Sequence, residues 1–361
     1  MQRGWPRAEK PSSGVDSLND YYDPQLKLDR LAELRGLAGD AFALHRLDFA
    51  DREALERALD GTAIDRIVHL GAQAGVRHSL ERPRDYVQSN LAGHLNILEL
   101  ARGRGVRHMV HASSSSVYGS NRSLPFRVDD RVDHPISLYA ATKKADELMS
   151  ETYAHLYRIP LTGLRFFTVY GPWGRPDMAM AGETIQLFNH GQTRRDFTYI
   201  DDIVAGVLAA HDSPPSDGGG TDTGGSAAPH NRAEELMLLV ELVERACGRK
   251  AEVELLPTQP GDVFETFADI DPISRDLGYR PTTNIDEGIP RSRSGSGTIT
   301  GDGSRVPGWP RRMVAGGSRL NLLGKIYNLP YPCQDGRSRM PFPVMTQPRT
   351  PRRRRFLGLY E

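Results

Sequence analysis

The sequence predicts an α/β protein with a doubly wound parallel sheet, and three observations lead to that class. Short apolar runs at residues 64–72, 106–118 and 161–170 have the length and composition of buried parallel strands. Segments at residues 90–102 and 140–157 have the apolar period of amphipathic helices. The runs and segments alternate along the chain, and such alternation places helices on both faces of a parallel sheet.

The elements divide the chain into four predicted parts. Residues 1–14 are polar, contain no apolar run and are expected to be unstructured. Residues 15–172 carry the strand and helix alternation, and residues 173–290 form a smaller, more broken part. Residues 291–361 hold fourteen Lys and Arg against three Asp and Glu without a sustained pattern, so they are predicted to be a disordered basic tail.

Two segments within these parts carry further expectations. The helix over residues 140–157 places Leu148 and Leu156 in register on one apolar face. Residues 211–230 are rich in Gly and Pro and lack periodicity, which predicts a flexible surface segment.

Composition restricts the class of protein. The 361 residues are 38% hydrophobic and 25% charged, which suffices for a core of ordinary size. No apolar run is long enough to span a membrane, and residues 1–6 lack the apolar stretch of a signal peptide. Cys247 and Cys333 are too few for a disulfide framework, and the scattered histidines predict no metal site. We therefore expect a cytoplasmic protein.

The strongest local signal is the pair Tyr139 and Lys143. Positions four residues apart lie on the same face of a helix, so the lysine can lower the pKa of the phenol and hydrogen-bond a cofactor ribose. The tyrosine then becomes an acid or base that works near neutral pH. By itself the spacing also fits a surface tyrosine beside a solvated lysine.

A cluster of hydroxyl side chains, residues 113–116, precedes that pair at the end of a predicted strand. The carboxyl ends of strands in an open α/β sheet face the ligand crevice. A serine there can hydrogen-bond a substrate oxygen and share its proton with Tyr139. This order of strand, hydroxyl cluster and Tyr139 helix favours a catalytic site over a serine-rich turn.

These residues belong to a longer series that resembles the extended short-chain dehydrogenase/reductases, within the NAD-dependent epimerase/dehydratase family, and in particular UDP-glucuronate 4-epimerases. The resemblance covers about residues 15–290 and implies a Rossmann-like fold with bound NAD and a UDP-sugar substrate. The matching stretches are residues 15–23, 69–77, 113–119, 139–143, 165–179, 194–202 and 259–263.

The resemblance also implies a role for each matching position. Tyr139 would be the catalytic base, Lys143 its partner, and Ser114 the hydroxyl at the sugar's 4-oxygen. Residues implied to bind the cofactor are Asp16, Asp48, Phe49, Ala72, Ala74, Asn90, Tyr139 and Lys143. Residues implied to bind the substrate are Ser115, Ser116, Thr168, Arg175 and Arg195.

Several of these positions have a plainer alternative. Asp48 fits an ordinary surface acid, and Asn90 fits the N-cap of its helix. Arg195 suits the UDP diphosphate because its planar fork bonds two oxygens at once, but it could also pair with the neighbouring Asp196. Arg175, the candidate for the substrate carboxylate, could instead bridge to Asp177.

Ser115 and Ser116 favour epimerisation over dehydration. Nucleotide-sugar dehydratases of this family carry Asp-Glu at these two positions to deliver and remove protons, and serines do not perform that work. The implied reaction is a transient oxidation at C4 that gives a 4-keto sugar, followed by return of the hydride to its other face. NAD is regenerated in each turnover and acts as a bound cofactor.

The sequence departs from the family pattern at its beginning. The family opens with an apolar strand, a Gly-rich turn that receives the cofactor pyrophosphate, and a helix. Residues 1–14 match none of these, so the first strand and helix are expected to be missing. A helix's worth of residues is also missing near residues 178–183, and the tail after residue 290 matches nothing in the family.

Four functions therefore remain open. The chain is a working UDP-glucuronate 4-epimerase, a catalytically impaired relic, an epimerase of UDP-glucose or another nucleotide sugar, or a nucleic-acid binder acting through its tail. The tail lacks aromatic interleaving, so nucleic-acid binding is the weakest of the four. Family resemblance further implies a homodimer through helices 90–102 and 140–157.

Overall fold

The structure of the chain is a computed structural model that describes residues 12–174, 185–215, 221–225, 232–248, 250–258 and 263–293. Its strands are β1 (Ser12–Asp16), β2 (Phe42–Arg46), β3 (Arg66–His69), β4 (His108–Ser114), β5 (Leu161–Phe166), β6 (Thr168–Tyr170), β7 (Ile185–Leu187), β8 (Arg194–Tyr199), β9 (Thr221–Gly225), β10 (Ala233–Glu235), β11 (Val253–Leu255) and β12 (Glu265–Thr266). Its helices are α1 (Pro24–Ala38), α2 (Arg52–Ala58), α3 (His78–Glu81), α4 (Pro83–Tyr86), α5 (Gly93–Arg104), α6 (Leu138–Tyr157), α7 (Ile200–Asp212), α8 (Leu236–Cys247), α9 (Asp271–Leu277) and α10 (Ile285–Arg293).

A parallel sheet in the order β3–β4–β5–β9 forms the centre of the fold. Strands β4 and β5 pair from Met109 opposite Leu161 to Ser114 opposite Phe166. Every residue of these two strands is buried, as expected for a parallel sheet covered by helices on both faces. The predicted α/β class and parallel sheet are confirmed.

The sheet is interrupted on its amino-terminal side. Strands β1 and β2 pair in parallel with each other, and no strand of the described residues joins them to β3. Side chains make the connection instead, because the Tyr21 hydroxyl donates to the Ala74 carbonyl at 2.9 Å and Arg30 donates to the Trp173 carbonyl. Residues 1–11 lie outside the described residues, so the expectation that the first strand of the family pattern is missing stays a prediction.

Helix α6 forms where the sequence predicts it, begins at the Ser137 cap, and packs on β4 and β5 with an unexpected face. Its buried residues include Lys143, Asp146 and Glu147, whereas Leu148 and Leu156 are 56% and 60% exposed. Lys143 and Glu147 lie inside because β4 and β5 supply partners for them, and Asp146 pairs with Lys143. The apolar register at Leu148 and Leu156 therefore marks an outer face of the helix.

The structure corrects two predicted boundaries, one at each end of the described chain. Residues 12–14 were expected to be unstructured, but Ser12–Asp16 pairs with Phe42–Arg46 through the backbone, which needs no apolar run. Residues 291–293, assigned to the disordered tail, extend α10, where the Ser292 hydroxyl donates to the Gly288 carbonyl at 2.9 Å. Residues 1–11 and 294–361 lie outside the described residues.

The Gly- and Pro-rich segment over residues 211–230 is also more ordered than expected. Helix α7 continues to Asp212, and β9 adds residues 221–225 to the edge of β5. Pairing with the backbone of a buried strand supplies the order that the local sequence does not predict. Residues 216–220 and 226–231 lie outside the described residues.

The part after residue 172 is organised around β8. This strand pairs with β6 and β12 in parallel and with β10 in antiparallel orientation, while β7 pairs with β11. Its core gathers Phe197 of β8, Leu239 and Val243 of α8, and Ile289 of α10. The boundary between this part and the main sheet stays a prediction. Among the described helices, none is both long and apolar enough to cross a membrane.

Candidate active site

The site is built on the carboxyl end of β4, where the predicted hydroxyl cluster begins. Ser114 is the last residue of the strand, and its Oγ accepts a hydrogen bond from the Ser116 backbone N–H at 3.1 Å. A hydroxyl that accepts this bond keeps its own proton for donation to another oxygen. Ser115 and Ser116 start the short 3₁₀ turn Ser115–Tyr118 and are half-buried.

Tyr139 lies in the first turn of α6, at the end of the helix that faces this cluster. The Ser137 Oγ caps the helix by accepting from the Ala140 N–H at 3.1 Å. The Tyr139 ring is fully buried and meets the Tyr86 ring edge to face, with centroids 6.0 Å apart. Helix α6 also packs against β4 and the turn that follows it, so the structure brings the Ser114 and Tyr139 elements together as predicted.

Lys143 follows one helical turn later and is 2% exposed. Its Nζ donates to the Ala112 carbonyl of β4 at 2.9 Å and forms an ion pair with Asp146 at 3.1 Å. Burial raises the pKa of Asp146 to about 6, although the Lys143 ammonium opposes that rise. A positive charge is thus held beneath the end of β4, on the same helix face as Tyr139.

Asp16 is the last residue of β1, as the resemblance implied. Its Oδ1 accepts from the Leu18 N–H at 2.7 Å, and Leu18 adopts a left-handed backbone conformation with φ of 49°. The following loop is held by the buried Lys27, whose Nζ donates to the Asn19 carbonyl and side chain at 2.5 and 2.7 Å. Burial lowers the pKa of Lys27, and the Asp16 carboxylate opposes that change.

Asn90 lies inside a continuous run of helical backbone, in the wider turn Val87–Ala92 that leads into α5. The alternative that it caps a helix is therefore wrong. Its side chain accepts from the Gln73 N–H at 2.7 Å and donates to the Gln73 carbonyl at 3.0 Å and to Thr142 at 2.9 Å. Asn90 thus ties the loop after β3 to the first turns of the Tyr139 helix.

That loop also carries Ala72 and Ala74, both buried as small side chains at a close approach would be. The Tyr86 hydroxyl donates to the carbonyls of Ala74 and Gly75 at 2.7 and 2.5 Å. Sequence reasoning did not single out Tyr86 or Gln73, because their roles depend on backbone groups that no residue pattern reveals.

Asp48 and Phe49, although adjacent in sequence, have different surroundings in the structure. Asp48 is exposed and closes its own turn by accepting from the Ala50 N–H at 2.9 Å. The Phe49 ring packs between the His69 ring, at 5.3 Å, and Gly71 and Gly93. A Cβ at Gly93 would lie 2.3 Å from that ring, so only glycine fits beneath it. Phe49 serves the core here, and its contribution to cofactor binding stays a prediction.

The predicted substrate residues lie on β6 and β8. Thr168 is half-buried at the start of β6, where it pairs with Phe197 of β8. The Arg195 guanidinium donates to the carbonyls of Arg194 and Phe264 at 3.0 and 3.1 Å. Arg175 lies outside the described residues, so the structure does not test its place.

Chains of known class resemble this one over most of its length. The profile of the NAD dependent epimerase/dehydratase family matches residues 14–222. A probable UDP-glucuronate 4-epimerase of Rhizobium meliloti is 44% identical over 299 residues, covering 77% of this chain and 87% of that protein. UDP-glucuronate 4-epimerase 3 of Arabidopsis thaliana is 44% identical over 296 residues, covering 76% of this chain and 68% of that protein.

A solved structure extends the likeness to the fold. UDP-glucuronic acid 4-epimerase from Bacillus cereus, in complex with UDP-glucuronic acid and NAD, superposes with a TM-score of 0.67 at 28% identity. The alignment covers 78% of this chain and 89% of the Bacillus chain. Its agreement with the described strands supports the Rossmann-like assignment of the central sheet.

Proposed function

We propose that this chain, which belongs to the NAD dependent epimerase/dehydratase family, is a nucleotide-sugar 4-epimerase that interconverts UDP-glucuronate and UDP-galacturonate. One observation carries the proposal: helix α6, which bears Tyr139 and Lys143, packs on β4 and on the turn that follows Ser114 at its carboxyl end. The named relatives and the Bacillus structure indicate the substrate class.

The residues present fit NAD at its adenosine and nicotinamide ends. The Asp16 carboxylate stands at the end of β1, where it can accept hydrogen bonds from ribose hydroxyls. Ala72 and Ala74 allow close approach, and Lys143 offers an ammonium beside Tyr139.

In the mechanism, NAD supplies the acceptor and donor of the hydride at C4. The Tyr139 phenolate would take the proton of the 4-hydroxyl as C4 is oxidised and return it as the 4-keto sugar is reduced from its opposite face, so C4 inverts without net oxidation. The Ser114 hydroxyl donates to the same sugar oxygen, and the Lys143 ammonium favours the phenolate form of Tyr139. The substrate side would be held by Ser115, Ser116, Thr168, Arg195 for the diphosphate and Arg175 for the carboxylate.

The test is conversion of UDP-glucuronate to UDP-galacturonate with NAD supplied, with UDP-glucose as the competing substrate. Tyr139→Phe should reduce turnover by about 10²- to 10⁴-fold, because the acid–base hydroxyl is lost while the ring remains. Tyr157→Phe, at a tyrosine of the same helix that is 43% exposed, should retain turnover. Absence of any conversion by the wild-type chain would overturn the proposal.

The interrupted sheet supports a second candidate, a catalytically impaired family member. Only side-chain contacts hold the β1–β2 pair, which carries Asp16, beside β3 in the described part of the chain. Thermal shift with NAD separates the two candidates. A site filled at a hundred times its dissociation constant gains about 2.7 kcal/mol, and a folded chain without any shift would be the impaired form.

We also propose a cytoplasmic homodimer that pairs α5 and α6 with the same helices of a second copy. Leu95 of α5 and Leu148, Leu156 and Tyr157 of α6 are 40%, 56%, 60% and 43% exposed. The two helices already contact each other, so their outer faces offer an apolar surface typical of a subunit interface.

Light scattering after gel filtration tests the dimer. Leu148→Glu should convert it to a monomer, since the substitution places a charge within the buried interface. Leu28→Glu, at a similarly exposed leucine of α1, should leave the mass unchanged. A wild-type chain of monomer mass would contradict the dimer.

A further inference from the structure

A buried ion pair connects the catalytic helix to the sheet at a point that the proposed chemistry does not use. Glu147 lies on α6 one turn beyond Lys143, and Arg165 lies near the end of β5. The Arg165 Nε donates to Glu147 Oε1 at 2.8 Å, and its Nη2 donates to Oε2 at 3.1 Å. The two side chains are only 4% and 5% exposed, so this bidentate pair lies in the interior.

The Glu147 carboxylate has two further partners. The Ser113 Oγ donates to Oε1 at 2.6 Å, and Ser113 is the residue immediately before Ser114 on β4. The Lys144 Nζ lies 3.3 Å from Oε2. One carboxylate therefore joins the helix of Tyr139 to the end of β4 and to β5.

Arg165 extends the network to the segment that follows the hydroxyl cluster. Its Nη1 donates to the Tyr118 hydroxyl at 3.3 Å and to the Val128 carbonyl at 3.1 Å. Tyr118 closes the short turn that contains Ser115 and Ser116. The network thus contacts Ser113 at the start of the hydroxyl cluster and Tyr118 two residues after its end.

The charge state of Glu147 follows from these contacts. Burial would raise the pKa of the carboxyl, but the hydrogen bonds from Arg165 and Ser113 hold that pKa below its ordinary value. A buried ion pair contributes little net stability compared with apolar side chains of similar volume. The ion pair has a fixed, forked geometry, so unlike an apolar contact it sets the distances between α6, β4 and β5.

We propose that Glu147 is a positioning residue for the epimerase reaction, an inference that rests on the proposed function. Through Arg165 and Ser113 it fixes the Tyr139 helix against the end of β4, so that the Tyr139 and Ser114 hydroxyls meet the same sugar oxygen. A misplacement of about 1 Å between reacting groups lowers a rate by about 10²-fold. Glu147 itself touches neither substrate nor cofactor in this role.

The first test is Glu147→Gln, which keeps the shape of the side chain but presents an amide N–H₂ to Arg165 in place of one oxygen. We expect kcat to fall by about 10²-fold while KM for UDP-glucuronate and the dissociation constant of NAD hold. The appearance of reduced nicotinamide absorbance in a single turnover should slow by the same factor. The control is Glu151→Gln, at an exposed residue one turn further along α6, which should retain wild-type kcat.

A second variant distinguishes a loss of positioning from a loss of folding stability. Glu147→Gln combined with Arg165→Met removes both charges, so it should recover melting temperature that the single variant loses but not the lost kcat. If kcat returns together with the melting temperature, or if Glu147→Gln retains wild-type kcat in an active chain, the positioning role is overturned. An inactive wild-type chain would overturn the proposed function first, and the positioning role with it.

Discussion

The amino-terminal unit, defined as β1, α1 and β2, differs from the central sheet in how its strands are covered. All residues of β4 and β5 are buried, whereas β1 buries only Gly14 and β2 only Phe42. Both regions have regular parallel pairing. Pairing alone therefore forms the strands, and the difference lies in whether a neighbouring strand and helices cover them.

The comparison separates two tasks of the proposed enzyme. Ser114, Tyr139 and Lys143 belong to the well-packed region, while Asp16 belongs to the partly covered unit. The catalytic arrangement is thus held by contacts that do not depend on the amino-terminal unit. We therefore expect turnover to be limited by how tightly the cofactor binds, more than by the arrangement of side chains at the end of β4.

The two regions should differ most in how much stability each loses when a side chain is truncated. Leu164→Ala in β5 removes a fully buried side chain and should lower the free energy of unfolding by about 2–5 kcal/mol. Val15→Ala in the half-buried β1 should lower it by about 1 kcal/mol or less. Urea denaturation of both variants measures the contrast, and equal losses would mean that the unit is packed as tightly as the sheet.

Sequence patterns predicted the elements that apolar residues define. The runs around β3, β4 and β5 and the Tyr139 helix follow from period and length, because their burial is dictated by local composition. Strands at residues 12–14 and 221–225 were missed, since they are held by pairing with partners distant in sequence. That kind of order has no local signal.

The site was predicted as a set of residue types and not as a network. The spacing of Tyr139 and Lys143 and the serine cluster before them indicated the chemistry. The pairing of Glu147 with Arg165, and of Asn90 with Gln73, depends on how α6, β5 and the loop after β3 meet. On α6, the polar residues that face inward also explain why Leu148 and Leu156 face outward. The hydrophobic period alone predicts the opposite orientation.

The second largest effect that we expect is a loss of stability of the central region on acidification, through three buried histidines. His69, His94 and His111 have ring centroids 5.3 and 5.2 Å apart, and both ring nitrogens of His111 lack partners within the described chain. Burial, with the Lys143 charge nearby, lowers the pKa of His69 to about 3 and of His111 to about 4. The unfolded chain binds these protons near the ordinary value of 6.5, so stability falls as pH drops from about 6.5 toward 4.

Asp146 acts in the opposite direction, because its pKa of about 6 exceeds the ordinary 3.8 and its ionisation costs stability as pH rises through that range. Two histidines with larger shifts outweigh it, so the net slope should be positive. His111→Leu should remove about 3 kcal/mol of the loss on acidification and raise stability at neutral pH. Urea midpoints of both proteins across this range measure the slopes, and parallel curves would exclude His111 as a source.

The smallest expected effect concerns the contact that joins the two regions. Tyr21→Phe removes the hydroxyl that donates to the Ala74 carbonyl, while the ring keeps its contact with His78 at 4.9 Å. Tyr86 still donates to that carbonyl at 2.7 Å, so no buried acceptor is left unpaired and the cost should be about 0.5–1.5 kcal/mol.

That loss should appear as local opening of the amino-terminal unit. Hydrogen exchange of β1 and β2 should accelerate in Tyr21→Phe while exchange of β4 and β5 stays at the wild-type rate. Tyr86→Phe is the matched variant, since Tyr86 lies wholly within the central region and holds the carbonyls of Ala74 and Gly75. It should destabilise the central region as well. Uniform acceleration in Tyr21→Phe would mean that the two regions unfold as one cooperative unit despite the interrupted sheet.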